Sequence, residues 1–250
     1  MRCVYMALVR NVKTMQNNGT KESSQKECSK QGCLVLLRHG QTAWSVSGQH
    51  TGRTDLPLTE VGVEQAKEAG ARLQCVFTKG FDKDCVLVSP LRRAQQTAQF
   101  AGFDSYTICD SALEWDYGAA EGRTRADISK LSGVEAWDVW KHGPKALPAH
   151  MITDAKETLP NGENVSVHRT SGETLQEVAE RTQSVIDAAM PKLKQGKNVL
   201  VVAHAHVLRI LTTRWLGVNP EFARLLRMDT AHYSVLGEYK GDNVIVHWNC

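Results

Sequence analysis

The sequence predicts an α/β protein, a three-layer sandwich built on a mostly parallel central sheet. Two observations lead to this class. Short continuous apolar runs recur along the chain, as in strands that are covered on both faces. Between them lie segments whose apolar residues repeat at helical spacing. Strands that alternate with helices form a parallel sheet with right-handed crossovers and helices on both faces.

The first predicted strand is the apolar run at residues 33–37, which ends at Arg38, His39 and Gly40. Within a regular strand Arg38 and His39 point to opposite faces, so the two side chains share one site only where the strand has ended. We expect Gly40 to permit that ending, since glycine adopts backbone angles that other residues avoid.

A helix is predicted after Thr59, which is a good N-cap, with apolar residues at positions 63, 66, 69 and 73 on one face. Residues 85–88 then form the second predicted strand, which Ser89 and Pro90 interrupt. Pro90 suits the opening turn of the next helix, over residues 92–100.

A long helix is predicted over residues 175–193, and it leads to the most apolar strand of the chain, residues 199–203, which ends at His204. Residues 233–236 and 244–246 are predicted to be two closing strands. These elements complete the alternation of strand and helix.

The predicted domain organisation is an N-terminal extension over residues 1–31 and one domain over residues 32–250. Residues 11–31 are rich in Asn, Gln, Ser and Lys and have no hydrophobic period, which marks a leader outside the core. A targeting role for the first 20 residues is the alternative, because they carry basic residues and no acidic ones. Residues 141–172 are predicted to be a long excursion over the site.

Composition excludes several partners. The formal net charge is +3 and charges of both signs are mixed along the chain, which argues against nucleic acid. No apolar run approaches the roughly 20 residues that span a bilayer, so we expect no membrane partner. The odd count of 7 cysteines favours a reducing, cytoplasmic setting. Cys33, Cys85 and Cys109 are expected to be buried in strands as small hydrophobic residues.

Polar residues of one chemical type follow the three inner strands. Arg38 and His39 follow the first, Ser89 with Arg93 follows the second, and His204 follows the third. Ligands of parallel sheets bind beyond the carboxyl ends of the strands, so these side chains converge on one edge. Arginine binds phosphate oxygens through paired donors, and the sequence therefore predicts a phosphate pocket.

Histidine suits a two-step phosphoryl transfer, because a neutral imidazole nitrogen is nucleophilic near pH 7. His39 is the candidate nucleophile, and His204 is the candidate donor to the phosphoryl oxygens, with Arg38 and Arg93. Glu114 is the candidate proton donor to the leaving group, with desolvation by Trp115 or Tyr117 expected to raise its pKa. Asp116 is the competing acid.

The chain resembles the histidine phosphatase superfamily, which includes the cofactor-dependent phosphoglycerate mutases. Five motifs in matching order carry the resemblance over about residues 33–248. They are Leu37-Arg38-His39-Gly40-Gln41-Thr42, then Ser89-Pro90-Leu91-Arg92-Arg93-Ala94, Leu113-Glu114 with Gly118, Gly172-Glu173-Thr174, and Ala203-His204-Ala205-His206. The fold implied is phosphoglycerate mutase-like.

The resemblance implies the site residues. It gives His39 as the phosphorylated nucleophile, Glu114 as proton donor and later base, and Arg38, Arg93 and His204 as the phosphate clamp. The full predicted substrate-binding set is Arg38, Ser45, Thr51, Gly52, Arg93, Tyr117, Ala205 and His206. Two departures from the family pattern occur: Ala205 replaces a usual glycine and narrows the pocket, and Ser45 replaces a usual asparagine, so a phosphate contact passes to a hydroxyl or is lost.

The segment from Gln41 to Gly52, together with His206, resembles sedoheptulose-bisphosphatases and broad-range phosphatases more than mutases. A mutase must shield its phosphoenzyme from water, and the chain has no long basic segment after His204 for that purpose. We therefore predict hydrolysis of small phosphomonoesters, with phosphorylated sugars as the expected class. No cofactor and no metal are expected, since the spacing of His142, His150 and His168 matches no ligand pattern.

Two alternatives remain open at this point. One is a phosphoglycerate mutase, and the other is an inactive relative that binds a phosphorylated ligand. The expected partner of the enzyme is a small phosphorylated substrate, whereas the inactive relative could also bind a protein. Sequence gives no indication of the oligomeric state.

Overall fold

The computed structural model describes residues 31–250. The predicted extension, apart from residue 31, and the alternative targeting role of the first 20 residues lie outside the described residues. The division into extension and domain therefore stays a prediction. Every helix within residues 31–250 falls short of the length or the hydropathy that a bilayer-spanning helix needs.

A six-stranded sheet forms the centre of the fold. Its strands are β1 (Leu34–Arg38), β2 (Val86–Val88), β3 (Thr107–Ile108), β6 (Val199–Ala203), β7 (Tyr233–Tyr239) and β8 (Asp242–His247). They lie in the order β3-β2-β6-β1-β7-β8. The first four strands in this order run parallel, and the pairings of β7 with β1 and with β8 are antiparallel, so the predicted mostly parallel sheet is confirmed.

Helices cover both faces, which makes the predicted three layers. They are α1 (Ala43–Ser47), α2 (Glu60–Val76), α3 (Arg92–Phe100), α4 (Arg125–Ser132), α5 (Val139–His142), α6 (Leu175–Lys194) and α7 (Ala205–Leu216). Alternate residues of β1 and β6 serve the two faces. Leu34, Leu36 and Val201 pack with α6 and α7, whereas Val35 and Leu37 pack with α2 and α3.

The two inner strands β1 and β6 place the histidines that follow them. Leu34 pairs with Val199 and Arg38 pairs with Ala203, so the strands end level with one another. His39 then donates its backbone N–H to the Ala203 carbonyl over 2.9 Å. The residue after each strand therefore lies at the same edge of the sheet, as the sequence argument requires.

Of two helix starts predicted from the sequence, the structure confirms one and contradicts the other. Thr59 caps α2, accepting the Gly62 N–H, as predicted. The prediction that Pro90 opens α3 is wrong, because the N-cap is Leu91 and the helix begins at Arg92. Pro90 lies in the bend that leaves β2.

Residues 141–172 contain regular structure that the sequence reading did not anticipate. A hairpin of β4 (Ala155–Thr158) and β5 (Asn164–Val167) occupies the middle of the segment. It packs against α1, where Trp44 is buried together with Val165 and Val167. Trp44 also donates its indole N–H to Glu157 Oε1 over 2.8 Å. The hairpin thus supports the helix that lies beside the site.

Cys33, Cys85 and Cys109 lie next to strands rather than inside them. Cys85 is buried but precedes β2, and Cys33 and Cys109 are half-buried beside β1 and β3. The prediction that all three are buried within strands is wrong, because each strand is shorter than its apolar run suggested.

Candidate active site

A cavity of about 250 Å³ opens at the carboxyl edge of the sheet. Its wall contains eight of the predicted site residues: Arg38, His39, Ser45, Thr51, Glu114, Tyr117, Ala205 and His206. Five further residues on the wall were not predicted as site residues: Trp44, Gly48, Gln49, His50 and Arg125. The remaining predicted residues, Gly52, Arg93 and His204, lie behind the wall.

His39 is held as a neutral imidazole with one free nitrogen. Its Nδ1–H donates to the Gly40 carbonyl over 2.7 Å, which leaves the lone pair on Nε2. Burial lowers the pKa of His39 well below 6.5, and the positive charges of Arg93 and Arg38 lower it further. The ring is therefore neutral near pH 7, with Nε2 unprotonated, which is the state that a nucleophile requires.

Gly40 has a different purpose from the predicted one. It is absent from the residues with positive φ, so the chain does not need unusual backbone angles there. Instead, a Cβ on Gly40 would lie 2.4 Å from the Gly62 carbonyl oxygen in the first turn of α2. Close packing of the two backbones is what requires glycine.

His204 is fully buried and carries its proton on the opposite nitrogen. Arg93 Nε donates to His204 Nδ1 over 3.1 Å, and since arginine only donates, Nδ1 is unprotonated. The proton is on Nε2, which contacts Ser89 Oγ at 2.7 Å. Burial and the charge of Arg93 lower the pKa of His204 well below 6.5. The rings of His204 and His39 lie 5.2 Å apart, centroid to centroid. Contact of both rings with one phosphoryl group stays a prediction.

Arg93 contacts protein groups rather than the cavity. Its side chain is fully buried, and besides His204 it donates to the carbonyl oxygens of Thr51, Gly52 and Thr54. In this structure the predicted clamp residue holds His204 and the loop at residues 51–54. Direct contact of Arg93 with phosphate stays a prediction.

Arg38 lies on the cavity wall with a spare donor. Its Nη1 donates to the Met228 carbonyl over 2.7 Å. Its Nε is buried and has no hydrogen-bond partner among the described residues. Contact of Arg38 with a phosphate oxygen stays a prediction.

Glu114 lies where the N-terminus of α7 faces the cavity. Its carboxylate accepts the backbone N–H groups of Trp115, His206 and Val207 over 2.8–3.1 Å. The sequence predicts that neighbouring aromatic rings desolvate the Glu114 carboxylate. In the structure, backbone amides are the direct partners of the carboxylate. The side chain reaches the cavity in the position that a proton donor needs.

The competing acid, Asp116, does not reach the cavity. Its carboxylate accepts the Gly118 N–H and the Thr170 hydroxyl, both away from the wall. Geometry therefore favours Glu114.

Tyr117 and His206 form a hydrogen-bonded pair on the wall. The Tyr117 hydroxyl contacts His206 Nδ1. Burial raises the pKa of Tyr117 well above 10, and burial together with the charge of Arg209 lowers the pKa of His206 well below 6.5. Both groups are neutral near pH 7, so the phenol donates and His206 keeps its proton on Nε2. The pair is suited to hydrogen bonds with a polar, uncharged part of a ligand.

The three smaller residues predicted to bind substrate, Ala205, Ser45 and Gly52, differ from one another in their position relative to the cavity wall. Ala205 lines the wall at the start of α7. The narrowing of the cavity by its methyl group stays a prediction. The Ser45 hydroxyl donates to the Thr42 carbonyl within the capping box of α1, so it does not replace the lost asparagine contact in this geometry. Gly52 lies behind the wall, where its N–H donates to the Glu121 carboxylate.

His50 is a wall residue that the sequence reading missed. It follows no strand, so the rule that selected His39 and His204 does not apply to it. His50 Nδ1–H donates to the Arg123 carbonyl over 2.9 Å, which leaves Nε2 as an acceptor. Burial lowers the pKa of His50, so the ring is neutral near pH 7. Only the polar loop at residues 47–52 hinted at a contribution from this segment.

The histidines of the excursion do not form a cluster. His142, His150 and His168 are exposed. Among residues 31–250, a single group offers three possible metal-ligand atoms within 4.8 Å of one another, namely Asp82, Asp84 and Cys85. It precedes β2, at the opposite edge of the sheet from the cavity.

Known proteins match this chain over most of its length. The model of the histidine phosphatase superfamily (branch 1) matches residues 34–250. The acid phosphatase of Mycobacterium tuberculosis is 33% identical over 204 residues, covering 82% of this chain and 85% of the relative. The 2,3-bisphosphoglycerate-dependent phosphoglycerate mutase 2 of Latilactobacillus sakei is 33% identical over 234 residues, covering 85% and 96%.

Solved structures agree with these sequence matches. The α-ribazole phosphatase of Shigella flexneri superposes with a TM-score of 0.66 at 27% identity, covering 87% of this chain and 96% of that one. The chain is thus similar to phosphatases and to mutases alike.

Proposed function

Because the chain belongs to branch 1 of the histidine phosphatase superfamily, we propose that it is a phosphatase that transfers a phosphoryl group first to His39 and then to water. The observation that supports this most strongly is the complementary protonation of two imidazoles. His39 presents a lone pair on Nε2, and His204, with its ring 5.2 Å away, carries a proton on Nε2. We propose that the His39 nitrogen attacks phosphorus, while the His204 Nε2–H, which contacts Ser89 Oγ in this structure, turns to donate to a phosphoryl oxygen.

In the first step, the His39 Nε2 lone pair forms a bond to phosphorus and the bond from phosphorus to the ester oxygen breaks. Glu114 gives its proton to the departing oxygen. The positive charge that develops on the His39 ring is stabilised by the Nδ1–H bond to the Gly40 carbonyl. The products of this step are an alcohol and a phosphohistidine.

In the second step, Glu114 is a carboxylate and accepts a proton from water as the water oxygen attacks phosphorus. The bond from phosphorus to His39 Nε2 breaks, and its electron pair returns to the ring. Inorganic phosphate leaves, and the enzyme regains its starting protonation.

We propose that this reaction needs no metal ion. Arg38 brings its guanidinium to the wall, and His204 brings an N–H from behind it. Arg93 contributes positive charge from behind the wall. Together these groups supply the stabilisation of phosphoryl oxygens that a metal provides in other phosphatases.

A small phosphorylated sugar is the proposed substrate class. The cavity of about 250 Å³ lies below the roughly 300–1,000 Å³ that drug-sized ligands occupy, so it suits a small molecule. The free Nε2 of His50 and the pair of Tyr117 and His206 offer hydrogen-bond partners for sugar hydroxyls. The name of the Shigella relative, α-ribazole phosphatase, supports a phosphomonoester substrate. The odd cysteine count supports a cytoplasmic setting for the activity.

Mutase activity is the second candidate, because the relative from Latilactobacillus sakei carries that name and matches over 96% of its length. A mutase excludes water from its phosphoenzyme. Two features support hydrolysis instead: Gly48 on the wall is exposed, and the wall residue Arg125 has a side chain that is 60% exposed.

The test is a panel of phosphorylated sugars, phosphoglycerates and an aryl phosphate, assayed with and without a chelator. We expect inorganic phosphate and alcohol in equal amounts, unchanged by the chelator and absent in His39→Ala. Isomerised product without phosphate release would indicate a mutase, and binding without turnover would indicate the ligand-binding alternative. Complete loss of activity in the presence of chelator would contradict the metal-free reaction.

A further inference from the structure

A buried carboxylate outside the cavity, Glu121, contacts the loop that holds Arg93. Its side chain is only 1% exposed and is absent from the cavity wall. The Gly52 N–H lies 2.9–3.0 Å from both carboxylate oxygens, and the Thr54 N–H donates to Oε1 over 2.9 Å. Nothing in the proposed reaction uses this group directly.

The same loop accepts hydrogen bonds from Arg93 through its carbonyl oxygens. Arg93 Nη1 donates to Thr54 O, and Nη2 donates to Thr51 O and Gly52 O, over 2.9–3.2 Å. The loop therefore has Glu121 on its N–H groups and Arg93 on its carbonyl groups. The position of the loop fixes the position of the guanidinium.

The remaining donor of Arg93, its Nε, determines which ring nitrogen of His204 carries the proton. Arg93 Nε donates to His204 Nδ1 over 3.1 Å. As long as this bond is made, neutral His204 must carry its proton on Nε2. If the guanidinium moves, this constraint is lost and the proton can occupy either nitrogen.

The charges of Arg93 and Glu121 also support the placement of this carboxylate near the guanidinium. The Arg93 guanidinium is fully buried and is paired directly with no carboxylate among the described residues. Burial lowers the pKa of Arg93, and the carboxylates of Glu114 and Glu121 are the main opposing influences. A charge in this environment needs nearby compensation.

The packing of Gly52 is an independent sign that this contact is close. A Cβ on Gly52 would lie 2.6 Å from Glu121 Oε2 and 2.5 Å from the Trp115 carbonyl oxygen. The carboxylate thus packs directly on the loop backbone, where no side chain fits.

We propose that Glu121 is a positioning residue that, through the loop at residues 51–54 and Arg93, keeps His204 in the tautomer with its proton on Nε2. The catalytic meaning of this tautomer rests on the proposed function. The tautomer itself does not, because it is a property of the protein without substrate.

The experiment measures the ring ¹⁵N resonances of His204 in the full chain near pH 7.5, assigned with a His204→Gln variant. We expect the Nε2–H tautomer in the wild type and a mixture with the Nδ1–H tautomer in Glu121→Gln. The glutamine has no negative charge, and its NH₂ group faces the Gly52 N–H where Oε2 accepted it. In the same variant we expect kcat to fall by about 10-fold to 100-fold, with a smaller change in KM.

Glu157→Gln is the matched control. Glu157 also accepts N–H groups beside the cavity, from Trp44 and Gln49, but has no contact with the loop or with Arg93. It should leave the His204 tautomer unchanged. Glu121→Asp, which keeps the charge on a shorter side chain, should give an intermediate result and serves if Glu121→Gln does not fold.

An unchanged Nε2–H tautomer in folded Glu121→Gln, or in folded Glu121→Asp if the amide variant does not fold, would overturn the proposal. An equal disturbance in Glu157→Gln would also overturn it. If the wild type hydrolyses no phosphomonoester and the tautomer still shifts in the variant, the proposed function fails and this inference stands.

Discussion

Replacing Glu114 by glutamine separates the two chemical steps that the carboxylate serves. The substitution keeps the size of the side chain but removes the proton that the leaving oxygen needs in the first step. It also removes the base that activates water in the second step. The effect on each step depends on the basicity of the leaving group, which the choice of substrate controls.

The size of the effect follows from the role of the proton. General acid catalysis contributes about 10²–10⁴-fold, which corresponds to about 2.7–5.4 kcal/mol of barrier. We expect Glu114→Gln to lose this much on a sugar phosphate, whose alkoxide is a poor leaving group. An aryl phosphate leaves without a proton, so its first step should slow by less than about 10-fold.

Stability should fall by a smaller and separate amount. The carboxylate accepts three backbone N–H groups, from Trp115, His206 and Val207. A glutamine oxygen can accept those of Trp115 and Val207, and its amide then faces the N–H of His206. One unsatisfied buried donor costs about 1–3 kcal/mol. At about 2–4 °C per kcal/mol, the variant should remain folded at 25 °C.

The assay is rapid mixing of Glu114→Gln with an aryl phosphate. We expect a burst of aryl alcohol approaching about one equivalent per enzyme, followed by slow turnover, because the phosphohistidine forms and then waits for an unactivated water. Asp116→Asn is the control, since Asp116 lies away from the cavity, and it should show no burst of this kind. Equal losses on both substrates without a burst would refute the role of Glu114 as acid and base.

Two further predictions concern pH and pocket size. Burial lowers the pKa of His39 and His204 below 6.5, so the unfolded chain binds these protons first as the pH falls. The neutral histidines should therefore contribute fully to the free energy of unfolding above about pH 6.5, and this contribution should be lost as the pH falls further. In His39→Gln the free energy of unfolding should fall less over the same pH range. Urea unfolding between about pH 7 and pH 5 measures this, and greater stability at the lower pH would contradict it. Ala205→Gly removes a methyl group from the cavity wall at a cost below about 1 kcal/mol. It should raise kcat/KM for bulkier sugar phosphates severalfold, and an unchanged ranking of substrates would argue against Ala205 as a determinant of size.

Much of the fold was predictable because its strands are strongly apolar and its long helices are periodic. The buried runs that became β1, β2 and β6 are covered on both faces, and this pattern does not depend on distant contacts. The hairpin of β4 and β5 was missed because its strands are only four residues each and mostly polar. Asn161-Gly162, with Gly162 at a φ of +84°, was the available signal, since this dipeptide favours hairpin turns.

The candidate site was predictable where residues directly follow strands. His39 and His204 meet because β1 and β6 are adjacent and in register, and the carboxyl edge then fixes their separation. His50 was not predictable by this rule. It reaches the cavity through a bridge between residue 50 and Glu121 and through its bond to Arg123, both of which depend on tertiary packing.

The orientation of Arg93 lies beyond sequence reasoning for a related reason. Its position after β2 predicted closeness to the phosphate site, but the carbonyl groups of the loop at residues 51–54 take its donors and draw it behind the wall. Spacing identifies a residue that comes near a site. The competing acceptors in the fold determine where its side chain points.

The most direct test of this account is to identify the atom that receives the phosphoryl group. The wild-type chain is mixed briefly with a ³²P-labelled sugar phosphate from the active panel, quenched in alkali, and digested for mass spectrometry. We predict an acid-labile, alkali-stable phosphoryl group on the peptide that contains His39, and none in His39→Ala. A label on another residue, or phosphate release at the normal rate from His39→Ala, would contradict it.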